Sequence, residues 1–90
     1  MTNQDLKVLL VEDDPNHALL IQEFLTSTPK FSFQIHHSDS LQNAVAQIDE
    51  LDFDLVLLDL FLLDSSGEST FFSIKTLCKT IPIIVLTGIA

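Results

Sequence analysis

The chain has 90 residues, 47% of them hydrophobic, and its thirteen acidic residues against four basic ones give a formal net charge of −9. This length allows one domain, and the hydrophobic content argues for a packed core and against intrinsic disorder. The charge argues against binding to nucleic acid or to anionic membrane surfaces, because both are contacted mainly through Lys and Arg.

Two further features bear on location. Residues 1–5 lack the basic and apolar regions of a signal peptide, and no uncharged apolar stretch approaches the roughly 20 residues of a membrane span. Cys78 is the only cysteine. An internal disulfide is therefore impossible, and we interpret Cys78 as a small apolar residue on a helix face. We expect a cytoplasmic protein.

The first strand and helix are predicted from residues 6–25. The apolar run at 6–11 is typical of a buried strand. Asp14 and Pro15 predict a helix start, with Asp14 as N-cap and Pro15 in the first helical position. The helix is expected to reach about Leu25, with Leu20, Ile21, Phe24 and Leu25 on one face.

The second strand and helix follow. Apolar residues alternate with polar ones at 31–36, the pattern of a strand with one exposed face, and we expect it at an edge of the sheet. Residues 38–40 supply helix-capping side chains, and apolar residues at helical spacing predict a second helix to about Leu51.

The rest of the chain predicts two more buried strands around a third helix. The strands are at 53–58 and 83–86, with Thr87 and Gly88 at the end of the second. A loop at 60–68 contains Gly67, and Ser69 is expected to cap a helix that runs through Lys79.

The predicted order is βαβαβαβ, which implies parallel strands joined by right-handed crossovers in an α/β fold of three layers. No repeat, low-complexity tract or linker interrupts residues 1–90. We therefore predict one domain.

Carboxylates follow two of the predicted strands. Glu12 and Asp13 come after the first strand, and Asp59 ends the third. In open α/β sheets, ligands bind in the crevice beyond the carboxyl ends of the strands. Crowded carboxylates are stabilised by a cation, so the pattern predicts a divalent-metal site. Thr87 at the end of the fourth strand adds a hydroxyl, and the set suits an incoming phosphoryl group with a carboxylate as nucleophile.

Three segments together resemble the receiver domain of response regulators in two-component signalling. They are KVLLVEDDP at 7–15, DLVLLDLFLLDSSG at 54–67 and IPIIVLTG at 81–88. The resemblance covers nearly the whole chain and implies a flavodoxin-like fold. It also implies a signalling domain, not an enzyme, that receives its phosphoryl group from a histidine kinase or a phosphotransfer protein.

The resemblance assigns roles to five residues. Asp59 is the expected phosphoacceptor. Asp13 and Asp59 are expected to bind Mg²⁺ together with the backbone carbonyl of Phe61, and Glu12 is expected to assist through water. Thr87 is the hydroxyl expected to turn toward the phosphoryl group.

The sequence departs from the family pattern in two places. Leu63 stands where the family usually has proline, which is expected to loosen the loop after Asp59. The family's fifth strand with its lysine, its switch aromatic residue and its last two helices have no counterpart in the 90 residues. We therefore expect a receiver domain that is truncated after the fourth strand. None of the four lysines is placed to substitute for the absent one.

The expected truncation raises a second hypothesis. An apolar fourth strand at 83–86 with an unpaired edge, or an uncovered sheet face, favours a homodimer. The alternative function is accordingly a phosphorylation-independent interaction module. A phosphohydrolase is disfavoured, because the position two residues after Asp59, where a general acid would stand, is Phe61.

Several side chains are given ordinary structural roles. Asp64 is interpreted as a loop residue that bonds nearby backbone. For His17, near the acidic crevice, a structural or solvated role is favoured over metal ligation. His36 and His37 lack partners at the spacing of a zinc site. The phenylalanines are predicted to lie in the core.

Overall fold

The computed structural model describes residues 5–86. They form a four-stranded parallel sheet in the order β2-β1-β3-β6, a two-stranded antiparallel hairpin of β4 and β5, and three helices. The parallel α/β architecture predicted from the sequence is confirmed. The elements are β1 (Asp5–Val11), α1 (Pro15–Thr26), β2 (Ser32–Ser38), α2 (Leu41–Glu50), β3 (Leu55–Asp59), β4 (Phe61–Leu62), β5 (Ser65–Ser66), α3 (Glu68–Leu77) and β6 (Ile83–Leu86).

The central strand β1 carries the most deeply buried part of the chain. Its residues 8–11 are fully buried, and it pairs in parallel with β2 on one side and β3 on the other. Val11 is paired with Leu58, so β1 and β3 end side by side. This register brings the residues that follow β1 next to Asp59.

Two apolar clusters lie on opposite faces of the sheet, because successive residues of a strand point to opposite sides. On one face, Leu9 and Val11 of β1 pack with residues of α2 and α3, including Ala44 and Ile74. On the other face, the cluster is Val8, Leu10, Leu57 and Ala18 of α1. The sheet is therefore the middle of three layers.

The starts of two helices agree with the capping predictions. Oδ1 of Asp14 accepts hydrogen bonds from the amides of Asn16 and His17, at 2.8 and 3.4 Å. At the start of α2, Ser40 Oγ accepts from the amide of Asn43 at 3.1 Å. These bonds satisfy amides that have no partner inside the helix.

The prediction that Ser69 caps the third helix is wrong. The N-cap of α3 is Gly67, which makes no side-chain cap, and the helix ends at Leu77 rather than Lys79. Gly67 has a φ of 65°, a left-handed conformation that glycine adopts without steric cost. Ser69 lies inside the first turn instead, where its hydroxyl donates to the carbonyl of Ser66.

The prediction that the phenylalanines lie in the core is also wrong for most of them. Phe53 is buried, but four are exposed by 46% or more: Phe24, Phe31, Phe61 and Phe72. On α1 the sheet contacts the stripe of Ala18, Ile21 and Leu25. Phe24 and Leu20 lie outside that stripe, at 76% and 65% exposure.

The edges of the sheet are β2 and β6, as predicted for β2. Within residues 5–86, β6 pairs only with β3. His36 of β2, expected on the exposed face, packs its ring edge-on against Phe53 with centroids 5.5 Å apart. Cys78 is buried directly after α3, and burial raises the pKa of its thiol. None of the helices that the structure describes has the length and apolar character needed to cross a bilayer.

Candidate functional site

Three carboxylates meet at the carboxyl end of the sheet. Glu12 and Asp13 directly follow β1, and Asp59 is the last residue of β3. One oxygen from each lies within 4.8 Å of the others. Glu12 is buried, whereas Asp13 and Asp59 are partly exposed. The structure thus brings together the three acidic residues that the sequence placed at neighbouring strand ends.

Backbone contacts hold Glu12 in place from two sides. Its amide donates to the carbonyl of Ser38 at 2.9 Å, which extends the β1–β2 pairing by one residue. Its own carbonyl accepts a hydrogen bond from Nε2 of His37 at 2.7 Å. Glu12 Oε2 accepts from the amide of Asp14 at 3.2 Å. His37 therefore supports the acidic site through the backbone, a role that its place on an edge strand did not predict.

The pKa of Glu12 is raised from 4.5 to about 7. The main cause is burial, which disfavours the charged carboxylate, and the hydrogen bond and negative charge of Asp59 add to it. The Asp14 amide and His17 act in the opposite direction. Burial and the neighbouring Asp59 therefore disfavour the charged form of Glu12 at neutral pH, and a bound cation would offset both effects.

Asp59 is held by the start of the following hairpin. Its Oδ1 accepts a hydrogen bond from the amide of Phe61 at 3.0 Å. In the β3–β6 pairing, Asp59 lies beside Leu86, the last described residue of β6. Thr87 follows Leu86 in the sequence, and with Gly88 it lies outside the described residues.

The segment after Asp59 contains a hairpin where the sequence predicted only a loop. β4 and β5 pair antiparallel through Phe61 with Ser66 and Leu62 with Ser65. Asp64 lies in the turn, and its carboxylate accepts hydrogen bonds from backbone amides at the start of α2. Asp64 does bond backbone, as predicted, but in a helix more than twenty residues earlier.

Within residues 5–86, His17 forms ion pairs with Glu12 of the acidic site and with Asp14. Its Nδ1 lies 3.9 Å from Glu12 Oε1 and 3.7 Å from Asp14 Oδ2. Both ion pairs found within residues 5–86 involve this ring. The lysines of that range make none.

A family model for the response regulator receiver domain matches residues 8–90. The chain belongs to this family. It is 31% identical over 88 residues to the transcriptional regulatory protein ZraR of Escherichia coli K12, and 33% identical over 85 residues to the cell cycle response regulator CtrA of Brucella ovis. These matches cover 98% and 94% of the chain but only 19% and 35% of the two relatives.

Solved receiver structures share the fold. The phosphorylated cyanobacterial phytochrome response regulator RcpA superimposes with a TM-score of 0.81 at 30% identity, over 97% of this chain and 69% of that one. The response regulator MaeR bound to beryllium trifluoride gives 0.81 at 26% identity, over 94% and 69%. The flavodoxin-like receiver fold and the two-component family predicted from the sequence are confirmed.

The donor atoms of the cluster suit the cation that receiver domains bind at their acidic pocket. Mg²⁺ prefers oxygen ligands and is usually held by one or two carboxylates with water completing the shell. Glu12, Asp13 and Asp59 offer only oxygens, and two of the three side chains are open to solvent. The residues present therefore fit Mg²⁺.

Proposed function

We propose that this domain accepts a phosphoryl group on Asp59 in a Mg²⁺-dependent reaction, from a histidine kinase or a phosphotransfer protein. The observation that carries the proposal is the convergence of the Glu12, Asp13 and Asp59 oxygens within 4.8 Å. Membership of the receiver family supports it. Among the similar structures, RcpA is phosphorylated and MaeR is bound to beryllium trifluoride.

The chemistry is a direct transfer. An oxygen of Asp59 attacks phosphorus, a P–O bond forms, and the P–N bond to the donor histidine breaks as the imidazole leaves. Carboxylates are ordinarily ionised at neutral pH, so no general base is needed. The amide of Phe61, 3.0 Å from Asp59 Oδ1, holds the carboxylate in a fixed orientation.

We assign the cation to Asp13 and Asp59, with the Phe61 carbonyl as a further ligand and Glu12 assisting through water. When bound, Mg²⁺ neutralises the negative charge that develops between Asp59 and the phosphoryl oxygens. Thr87, after β6, is proposed to donate its hydroxyl to a phosphoryl oxygen.

Intact-mass spectrometry after incubation with acetyl phosphate and Mg²⁺ tests the proposal. The chain should gain the mass of one phosphoryl group, and chelation of Mg²⁺ should abolish the gain. Asp59→Asn should prevent it. Asp52→Asn, the same change at an exposed position outside the cluster, should not. The assignment would be refuted if the Asp59→Asn variant were labelled, or if the unmodified chain were labelled by acetyl phosphate without Mg²⁺.

We also propose a homodimer that forms through β6. The outer edge of this apolar strand is unpaired within residues 5–86, and its Ile84 is 50% exposed. Such an edge is a template for another strand. A folded chain that dimerises but takes no label would favour the alternative, an interaction module independent of phosphorylation. The cytoplasmic location expected from the sequence stays a prediction.

A further inference from the structure

A surface groove lies between α2 and α3, on the face of the sheet opposite α1. Its volume is about 410 Å³, and it is lined by Gln42, Val45, Ala46, Ile48, Asp49 and Leu77. Most of these residues are apolar. Leu77, which α3 contributes, is 49% exposed although it is a large hydrophobic side chain. The groove therefore presents apolar surface that the described part of the chain does not cover.

The shape of the groove favours an elongated occupant. Gln42, Val45 and Asp49 recur at helical spacing along one side of α2. They cover about two turns, or roughly 10 Å of helix axis. Ala46 and Leu77 are exposed, as are Gln42 and Asp49, so the groove is open to water. Small-molecule sites bury most of their ligand, whereas an amphipathic helix needs only a groove for its apolar face.

The charge at this groove is negative. Asp49 and Glu50 lie in the last turn of α2, which contains no basic residue, and the helix C-terminus adds partial negative charge. Within residues 5–86, neither carboxylate forms an ion pair. Lys75 is in the last turn of α3, but it stands two positions before Leu77, and residues at that spacing do not share a helix face. An occupant of complementary charge is therefore basic.

A second copy of this chain does not meet that requirement. Helices α1 and α2 contain no Lys or Arg, and α3 contains one lysine. Each copy also carries a formal net charge of −9, so two copies repel each other at an acidic surface. The basic helix must come from a different protein.

We propose that the α2–α3 groove binds a basic amphipathic helix of a partner protein. Apolar residues of that helix cover Val45, Ile48 and Leu77, and a Lys or Arg beside them pairs with Asp49. None of the three acidic-site carboxylates lines the groove. The interaction is thus separate from phosphoryl transfer and does not depend on it.

The test uses a synthetic peptide, whose tryptophan fluorescence reports binding because the chain has no tryptophan or tyrosine. The peptide has about 14 residues, roughly four helical turns, with leucines and one tryptophan on one face and lysines beside them. Excess Mg²⁺ occupies the acidic site. One peptide should bind per chain, with saturation. The same peptide with glutamates in place of lysines should bind at least about tenfold more weakly, because like charge then faces Asp49.

Two variants with the same change in charge distinguish the groove from general attraction to an acidic chain. Asp49→Lys should weaken binding of the lysine peptide at least about tenfold. Glu23→Lys, at an exposed residue of α1 on the opposite face of the sheet, should leave binding nearly unchanged. Leu77→Ala should also weaken binding, because apolar contact is lost. Circular dichroism checks that each variant is folded.

Three results would overturn the proposal: no saturable binding of the lysine peptide, equal affinities for the two peptides, or equal weakening by Asp49→Lys and Glu23→Lys. Loss of binding in Phe24→Ala with full binding in Asp49→Lys would also overturn it, since the peptide would then lie on the exposed apolar residues of α1. None of these readouts involves phosphorylation, so failure of the phosphoacceptor proposal would leave this one standing.

Discussion

The carboxylate of Asp64 accepts a hydrogen bond from the backbone amide of Leu41 at 2.9 Å, across 23 positions of the chain. A second bond, from the amide of Gln42, is 3.0 Å long. The first amides of a helix have no intrahelical partners and carry a partial positive charge. Asp64 therefore caps α2 from outside and ties the β4–β5 hairpin, which begins two residues after Asp59, to that helix.

Asp64→Ala is expected to lower the melting temperature by a few degrees, because two amides of α2 lose their acceptor. Thermal unfolding followed by circular dichroism measures the change. Asp52→Ala, at another exposed aspartate, should change the melting temperature much less. Equal shifts in the two variants would show that the Asp64 bonds contribute nothing to stability.

The Asp64 bonds should also produce a pH effect. The two backbone hydrogen bonds lower the pKa of Asp64 below its ordinary 3.8. A group whose pKa is lowered by folding stabilises the protein above its unfolded pKa, and this stability is lost as the pH falls through the folded value. The difference in melting temperature between the unmodified chain and Asp64→Ala should thus shrink below about pH 4. A constant difference across that range would contradict the prediction.

Glu12 should give the opposite pH dependence. Its pKa is raised from 4.5 to about 7, mainly by burial, so the folded state holds a proton that the unfolded state releases. The stability from this group is fully present below pH 4.5 and is lost as the pH rises through about 7. Denaturant titrations without Mg²⁺ should show the free energy of unfolding decline by roughly 3 kcal/mol over this range. Glu12→Gln, which cannot ionise, should remove most of the decline, and an equal decline in both proteins would be evidence against it.

Mg²⁺ should stabilise the fold near neutral pH. A cation relieves the repulsion among the three carboxylates and binds only when folding has brought them together. At a hundredfold excess over its Kd, a ligand of this kind adds about 2.7 kcal/mol. Melting curves with and without Mg²⁺ measure the gain. Asp13→Asn should lose most of it and Asp52→Asn should keep it. An unchanged gain in Asp13→Asn would remove Asp13 from the ligand set.

The acidic site could be predicted because its residues are attached to strands that the sequence shows clearly. Glu12, Asp13 and Asp59 directly follow apolar runs, and parallel strands end at the same edge of a sheet. The cap of α1 was equally predictable, since Asp14 accepts from amides two and three residues later and Pro15 stands in the first turn of the helix. Local chemistry and strand periodicity are enough for both.

The features that were missed depend on tertiary contacts. The bonds from Asp64 to the start of α2 and from His37 to the carbonyl of Glu12 join distant segments whose spacing follows no sequence pattern. Hydrophobicity likewise predicts that Phe24 is buried. The packing of α1 instead turns Ala18, not Phe24, toward the sheet. The position of Thr87 at a strand end was predicted from the pattern and its switch role by resemblance alone, and Thr87 lies outside the described residues.

The proposed dimer makes a prediction about Ile84. Ile84 pairs with Leu57 in the β3–β6 ladder and is half exposed, so a lysine there can reach water in a monomer but would place charge in a β6 interface. The unmodified chain should sediment as a dimer at tens of micromolar, and Ile84→Lys should be a folded monomer by circular dichroism. Leu63→Lys, at an apolar residue that is 90% exposed on the hairpin, should remain dimeric. A monomeric unmodified chain that melts cooperatively would show that β6 does not pair between copies.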